Sequence, residues 1–306
     1  MSNQKRRLPF VQVDVFTSVP LEGNQLAVFT DGRSLSDAEM QALAKEMNLS
    51  ETTFILPRDA TTEREHGVRV RIFTVDEEMP FAGHPTLGTA MVLRNDTVRH
   101  EALGSNGAAE EIALDLNVGR IPVRFSTRDN LPFGVMTQRD PEFGAKHSRE
   151  DVARAAGLAV DDIADDLPIQ TVSTGNAFAI VPLKSLAVLQ KLSPTWANMK
   201  AYLDKSGAKF FYFVSRETVN PEAKLQSRMI FYNGEDPATG SAAGPCAAWA
   251  VQYGVVPPDE QALMEQGLEM KRRSRIFFSA GRDGGKIVNV RVGGHVVEVV
   301  RGEAFL

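Results

Sequence analysis

Four side chains in this sequence have the types and the settings for acid–base chemistry. They are Glu51 in Ser50-Glu51-Thr52, His84 in Gly83-His84-Pro85, Asp236 in Glu235-Asp236-Pro237 and Ser241 in Gly240-Ser241-Ala242. A carboxylate can take a proton from carbon and return it, an imidazole can pass or orient one, and a hydroxyl can bond to either state. Each residue also has an ordinary reading. Glu51 suits a strand edge, His84 and Ser241 suit helix caps, and Asp236 before Pro237 suits a turn. Their placement argues for more: His84 and Asp236 each stand where a turn runs into a helix with almost no polar face.

Other chemistries find little support. The five histidines are His66, His84, His100, His147 and His295, and no two have metal-ligand spacing, so no metal is expected. There is no phosphate-binding Walker loop, no G-x-G-x-x-G between strand and helix, and no G-x-S-x-G elbow, so no cofactor is expected either. Cys246, the single cysteine, falls inside a helix and reads as a small packed hydrophobe.

The elements that would position these residues begin with two buried helices. From Ala238 to Gln252 there is no charged residue, and a helix over Gly240 onward, stopped by Gly254, would be buried on every side. Its polar, glycine-containing N-terminus turns unpaired N–H groups toward whatever precedes it, which suits an anion. Met79 to Leu93 repeats the arrangement, with Pro85 suited to the first helical position. Alternation predicts strands at 11–16, 26–29, 50–56, 68–74, 111–116, 120–125 and 132–137. Ser36 with Glu39 forms a capping box for a helix ending near Asn48, and Ser148 opens a helix to Gly157. In the second half, strand, Gly175-Asn176, strand repeats the order around Gly23-Asn24. A helix opened by Ser193-Pro194, strands at 210–214 and 227–231, and the second buried helix then follow. The tail from Arg275 is strand-rich, with turns at Asp283-Gly284-Gly285 and at Gly293-Gly294, while 96–110 reads as a loop. The order of elements thus repeats with a period near half the chain, too long for a solenoid.

Length and composition set bounds. The chain has 306 residues, with 43% hydrophobic and 24% charged, as in a globular protein of two domains. A net charge of -5 argues against nucleic acid or an anionic membrane as partner, and no apolar run could span a bilayer. A single cysteine and no signal-type apolar core fit the cytoplasm. The expected domains are 1–128 and 129–306, with the last strand, about 295–306, able to return to the first.

The sequence resembles the phenazine-biosynthesis PhzF-like family, which has the diaminopimelate epimerase fold. The matching stretches are Asp14-Val15-Phe16-Thr17 with Gly23-Asn24, Ser50-Glu51-Thr52, Phe81 to Gly88, Ser173-Thr174-Gly175, Glu235 to Ala242, Gln266-Gly267 and Val292 to Val296. They cover almost the whole chain. Two departures stand out: Gln25 replaces the usual proline, and Lys271-Arg272-Arg273-Ser274 replaces Gly-Arg-Pro-Ser. The resemblance implies an α+β fold of two similar domains, an internal duplication, each a β-barrel-like sheet around a central helix. It also implies a homodimer and a site in the inter-domain cleft. By the motif match Glu51 is the acid/base, with His84, Asp236 and Ser241 supporting it. Asn24, Gly83, Thr239, Gly240 and Ser241 would bind substrate.

The resulting expectation is a cofactor-independent isomerase that moves a proton on a small carboxylate-bearing substrate. Helix N-termini would stabilise charge as it builds on the substrate, and a closed, partly apolar cleft would raise the pKa of Glu51. Two alternatives remain open at this level. One is an amino- or hydroxy-acid racemase or epimerase. The other is a catalytically silent binding protein of the same fold. A two-thiol racemase is disfavoured because neither helix mouth carries a cysteine.

Overall fold

A computed structural model describes residues 5–96, 109–232 and 234–306. The chain divides into two compact units, one of residues 1–136 with 293–306 and one of residues 137–292. The boundary expected at 128/129 falls in the turn between two strands of the first unit. Most of the loop expected over 96–110 lies outside the described residues.

In the first unit, β1 (Arg7–Val15) pairs antiparallel with β2 (Asn24–Phe29). Helix α1 (Asp37–Met47) then crosses over so that β3 (Thr52–Leu56) lies parallel to β2. The capping box at its start is present: Glu39 N–H donates to Ser36 Oγ, and Ser36 N–H donates to Glu39 Oε2 at 2.8 Å. Met40, Leu43 and Ala44 turn inward to a cluster where Phe54 stacks on Phe29 at 5.0 Å and meets Phe73 edge-on at 5.5 Å. A short helix α2 (Ala60–His66), capped by Asp59, was not legible because none of its residues is buried and no apolar stripe marks it. Strand β4 (Val68–Phe73) pairs antiparallel with β3 and with the two-residue β5 (Glu78–Met79). After helix α3 (Gly83–Asn95), β6 (Glu111–Leu116) lies parallel to β4, and β7 (Gly119–Arg128) and β8 (Leu131–Thr137) follow as hairpins.

The second unit runs through β9 (Glu142–His147), α4 (Arg149–Ala156), β10 (Ile169–Ser173) and β11 (Ala177–Leu183). Then come α5 (Leu186–Lys191), α6 (Trp196–Ser206), β12 (Phe210–Ser215), β13 (Leu225–Phe231) and β14 (Gly234–Asp236). Helix α7 (Gly240–Gln252) precedes β15 (Ala262–Gln266), β16 (Ser274–Asp283) and β17 (Lys286–Gly294). The pairing order of the first unit recurs: β10–β11 antiparallel, β11–β12 parallel, β12–β13 antiparallel, a short β13–β14 pair, then β13–β15 parallel and β15–β16 antiparallel. The final strand, β18 (Val296–Phe305), pairs antiparallel with β1 over its length in the first unit.

Both apolar helices are buried almost throughout. Helix α3 packs against β1, β2, β3, β6, β7 and β18, and α7 against β10, β11 and β16. Close approach needs glycine. A Cβ at Gly88 would lie 2.7 Å from Leu26 Cδ2 and 2.9 Å from Val15 Cγ2.

Three expectations need correction. Pro85 is the third residue of α3 and not the first, because the helix begins at Gly83; proline is tolerated there since the early N–H groups have no intrahelical acceptor in any case. Helix α6 opens at Trp196 from Thr195, and not from Ser193-Pro194. Gly293-Gly294 is not a turn. Both lie in β17, where a Cβ at Gly293 would come 2.6 Å from the Gly134 carbonyl, so the glycine serves strand proximity.

The Lys271-Arg272 departure keeps its turn. Lys271 N–H donates to Leu268 O and Arg272 N–H to Gly267 O, both at 3.0 Å. Lys271 does so at φ +57, in the left-handed region that costs a side-chain-bearing residue about 1–2 kcal/mol. Glycine would relieve that strain but loses about 0.5–1 kcal/mol through its freer unfolded chain. Lys271→Gly is therefore expected to stabilise the protein by about 0.5–1 kcal/mol. A higher urea midpoint at unchanged m-value would show it, and an unchanged or lower midpoint would contradict it.

Candidate active site

In the first unit, the site begins at Gly23. Its φ is +68 and a Cβ there would fall 2.4 Å from the Val15 carbonyl oxygen, so the bend requires glycine. The bend delivers Asn24 as the first residue of β2, buried. Helix α3 opens on Gly83 and His84 after Ala82, which provides no side-chain cap. The first N–H groups and the positive end of the helix dipole are thus uncompensated by a capping side chain.

His84 is 3% exposed. Its Nδ1 lies 3.1 Å from Asn24 Nδ2, and its Nε2 lies 3.5 Å from Glu51 Oε2 with no hydrogen bond of its own. Burial pushes the imidazole pKa down to about 3, against a smaller opposing backbone hydrogen bond at Gln25. The Glu51 contact is therefore not an ion pair: a neutral ring faces the carboxylate. Glu51 itself is half-buried, directly before β3.

In the second unit, Asp236 ends β14 and is buried. Glu235 beside it is held by Arg228 through bonds of 2.8 and 2.7 Å. The same guanidinium donates to Leu189 O and Leu192 O at the end of α5. Thr239 precedes α7 and makes no side-chain cap; its hydroxyl donates instead to Asp236 Oδ2 at 2.6 Å. Gln266, fully buried at the end of β15, donates to Asp236 O at 2.7 Å and to Thr239 Oγ1 at 2.9 Å. Its Oε1 accepts from Thr239 N–H at 3.1 Å and Tyr212 Oη at 2.9 Å. Helix α7 then runs from Gly240, with Ser241 half-buried and Pro245 inside the helix. Pro245 has no N–H, so the Ser241 carbonyl lacks its usual helical donor. Gln138 Nε2 donates to Gly240 O at 2.9 Å and its Oε1 accepts from Thr174 at 2.6 Å. A Cβ at Gly244 would overlap Gln138 Oε1 at 1.9 Å.

The sequence-derived residues thus fall into two groups. Asn24, Glu51, Gly83 and His84 meet in the first unit. Asp236, Thr239, Gly240 and Ser241 lie together in the second. Tyr212 and Gln138 were missed, and Thr174 and Gln266 were noticed only as motif residues. Their polar atoms are buried against the helix mouth by strands distant in sequence, which no local pattern announces. Among the described residues no three His, Cys, Asp or Glu side chains converge as a metal site. No helix among them is long and apolar enough to cross a membrane.

The model of phenazine biosynthesis-like proteins, PhzC-PhzF, matches residues 13–302. The chain belongs to this family. An uncharacterized isomerase of Mesorhizobium japonicum is 36% identical, over 97% of this chain and 98% of its own. The trans-2,3-dihydro-3-hydroxyanthranilate isomerase of Pseudomonas aeruginosa is 33% identical, over 97% and 99%. With such relatives along its whole length, this PhzF-family chain is an isomerase. Among solved structures, a Bacillus anthracis phenazine biosynthesis protein of the PhzF family superposes with a TM-score of 0.85 at 27% identity, covering 98% and 100% of the two chains. A hydroxyproline epimerase from Agrobacterium vitis shares the sheet-dominated fold at TM-score 0.68 and 12% identity, covering 100% and 93%.

The state of His84 predicts a pH effect. The folded pKa, about 3, lies below the ordinary 6.5, so between these values the unfolded chain binds a proton that the folded one refuses. Stability from this residue is full above pH 6.5 and is lost as pH falls toward 3, at up to about 1.4 kcal/mol per pH unit. Denaturant titrations of wild type and His84→Asn between pH 7 and 4 should show the wild type losing stability more steeply. Parallel slopes would mean that His84 titrates normally.

Proposed function

We propose that this PhzF-family isomerase works without a cofactor, moving a proton on a small carboxylate-bearing substrate in a cleft between its two units. Glu51 takes the proton from carbon and returns it. The observation that carries this reading is the buried His84, kept neutral by burial, whose Nε2 lies 3.5 Å from Glu51 Oε2. A neutral imidazole beside a carboxylate can orient it without neutralising it as a base. Asp236 and Ser241, at the mouth of the second buried helix, serve the opposite face of the substrate. The N–H groups of Gly83 and Gly240, with Asn24 and Thr239, take the substrate carboxylate and the charge that develops next to it.

Several further features support this reading. The pairing order repeated in both units fits an internal duplication that brings two equivalent helix mouths into one enzyme. The substrate named for the Pseudomonas relatives, trans-2,3-dihydro-3-hydroxyanthranilate, is a small cyclic carboxylate, the class proposed here. A homodimer in the cytoplasm is the accompanying proposal for its state and location. The racemase reading would ask for a second base. Cys246 is a poor candidate, being fully buried in α7 with its thiol pKa raised well above the ordinary value by burial.

Two substitutions test the assignment. Glu51→Gln keeps shape and hydrogen bonding but cannot accept a proton at neutral pH. It is expected to bind substrate nearly as wild type while losing about 10²–10⁴-fold in turnover. It should also stop exchange of the substrate's carbon-bound hydrogen with deuterated water. Wild-type exchange in Glu51→Gln would make Glu51 structural and move the base to Asp236 or His84. Cys246→Ala is expected to keep turnover within about twofold, since acid–base groups contribute far more than that. Loss of activity in a folded Cys246→Ala protein would restore the thiol reading.

A further inference from the structure

We propose that Gln266 and Thr239 are positioning residues that hold Asp236 Oδ2 as a fixed hydrogen-bond acceptor. This rests on the reading above, in which Asp236 acts on the substrate.

The argument starts from the amide of Gln266, whose two ends differ chemically but not in shape. Two backbone groups decide which end is which. The Asp236 carbonyl can only accept, and it lies 2.7 Å from one end; the Thr239 N–H can only donate, and it lies 3.1 Å from the other. Nε2 therefore faces Asp236 O, and Oε1 faces Thr239 N–H. The second proton on Nε2 points to Thr239 Oγ1 at 2.9 Å, so that hydroxyl accepts. Its own single proton is left for Asp236 Oδ2, at 2.6 Å. Thr239 is buried, and no other acceptor for this proton is hydrogen-bonded to it among the described residues. A proton placed on Oδ2 would displace it and strand a buried hydroxyl.

At the far end the Tyr212 hydroxyl has three partners, Gln266 Oε1, Ser227 Oγ and Met264 Sδ. Gln266 Oε1 accepts from Tyr212 Oη at 2.9 Å, and Ser227 Oγ lies 2.8 Å from the same phenol. Complete burial raises the Tyr212 pKa far above its ordinary value, so the phenol stays a neutral donor. From Gln266 through Thr239 to Asp236, each donor points toward the carboxylate, and the last bond is charge-assisted. Two consequences follow for Asp236: its carboxylate form is favoured, and its two oxygens are not equivalent.

The test uses Thr239→Val, which keeps the β-branched shape and removes only the hydroxyl. Thr239 contributes no side-chain cap to α7, so the helix start is not compromised. In protein labelled with ¹³C at the aspartate carboxyls, the Asp236 resonance is assigned by its loss in Asp236→Asn. The expected result is a rise in the Asp236 titration midpoint of about one pH unit in Thr239→Val, as for loss of a hydrogen bond to the charged form. Thr239→Ser should restore the wild-type midpoint. The acidic limb of kcat/KM should move with the carboxyl, with kcat down about tenfold and KM little changed. Gln266→Met, which frees the Thr239 hydroxyl to turn, should raise the midpoint by a smaller step and gives a second variant should the first fold poorly. An unmoved Asp236 midpoint in both folded variants overturns the relay, whatever the activity. A shifted midpoint with an unmoved acidic limb leaves the relay standing and overturns the role of Asp236 in catalysis.

Discussion

A helix with no polar face cannot lie on a surface, and this constraint organises both units. Helices α3 and α7 are buried almost throughout and pack against strands of their own units. Covering them closely demands side chains that end at the backbone, which is why Gly88 stands against Leu26 and Val15, and Gly244 against Gln138. Enclosure also removes water from the helix start. The first N–H groups and the positive end of the dipole then have to be met by something polar that the fold itself places there.

The two units meet that demand differently. In the first, the polar residue sits within the helix as its second member, His84, and the cost of burying it is met by keeping the ring neutral. Asn24 occupies one ring nitrogen and the other is turned to Glu51. In the second, the acid lies before the helix, and a network of four side chains satisfies it: Thr239, Gln266, Tyr212 and Ser227. A neutral ring beside a half-buried carboxylate and an acid hydrogen-bonded to a threonine hydroxyl are distinct electrostatic settings.

Much of this was readable in advance, for identifiable reasons. Amphipathic or wholly apolar segments declare themselves, so α1 with its Ser36–Glu39 cap, α3 and α7 all stand where periodicity put them. His84 and Asp236 were legible as candidates because they interrupt apolar or turn sequence at those helix mouths, whereas Glu51 entered through the family motif. Helix α2 was not, since Ala60 to His66 carries no apolar stripe, and the strand character of Glu142 to His147 is hidden because its six residues are mostly exposed. Gln266 shows a deeper limit. Its amide matters only because β15 brings it beside a carbonyl 30 residues away. Lys271 shows the converse, since the turn survives replacement of the residue type that best suits it, at a cost in backbone strain.

The pairing of β18 with β1 bears on how the protein is made. Arg7 faces Phe305 and Val15 faces Val296, so β1 waits for a strand synthesised after the whole second unit. The second unit, contiguous from 137 to 292, has all its pairing partners in hand earlier on the ribosome. Synthesis therefore runs opposite to the order in which the units begin. The unit that starts first is finished last, and until residues 296–305 emerge, β1 presents an unpaired edge. That interval is when a nascent chain is open to wrong strand pairing, and β1, with Val11, Val13 and Val15 buried in the native sheet, is the segment most exposed to it.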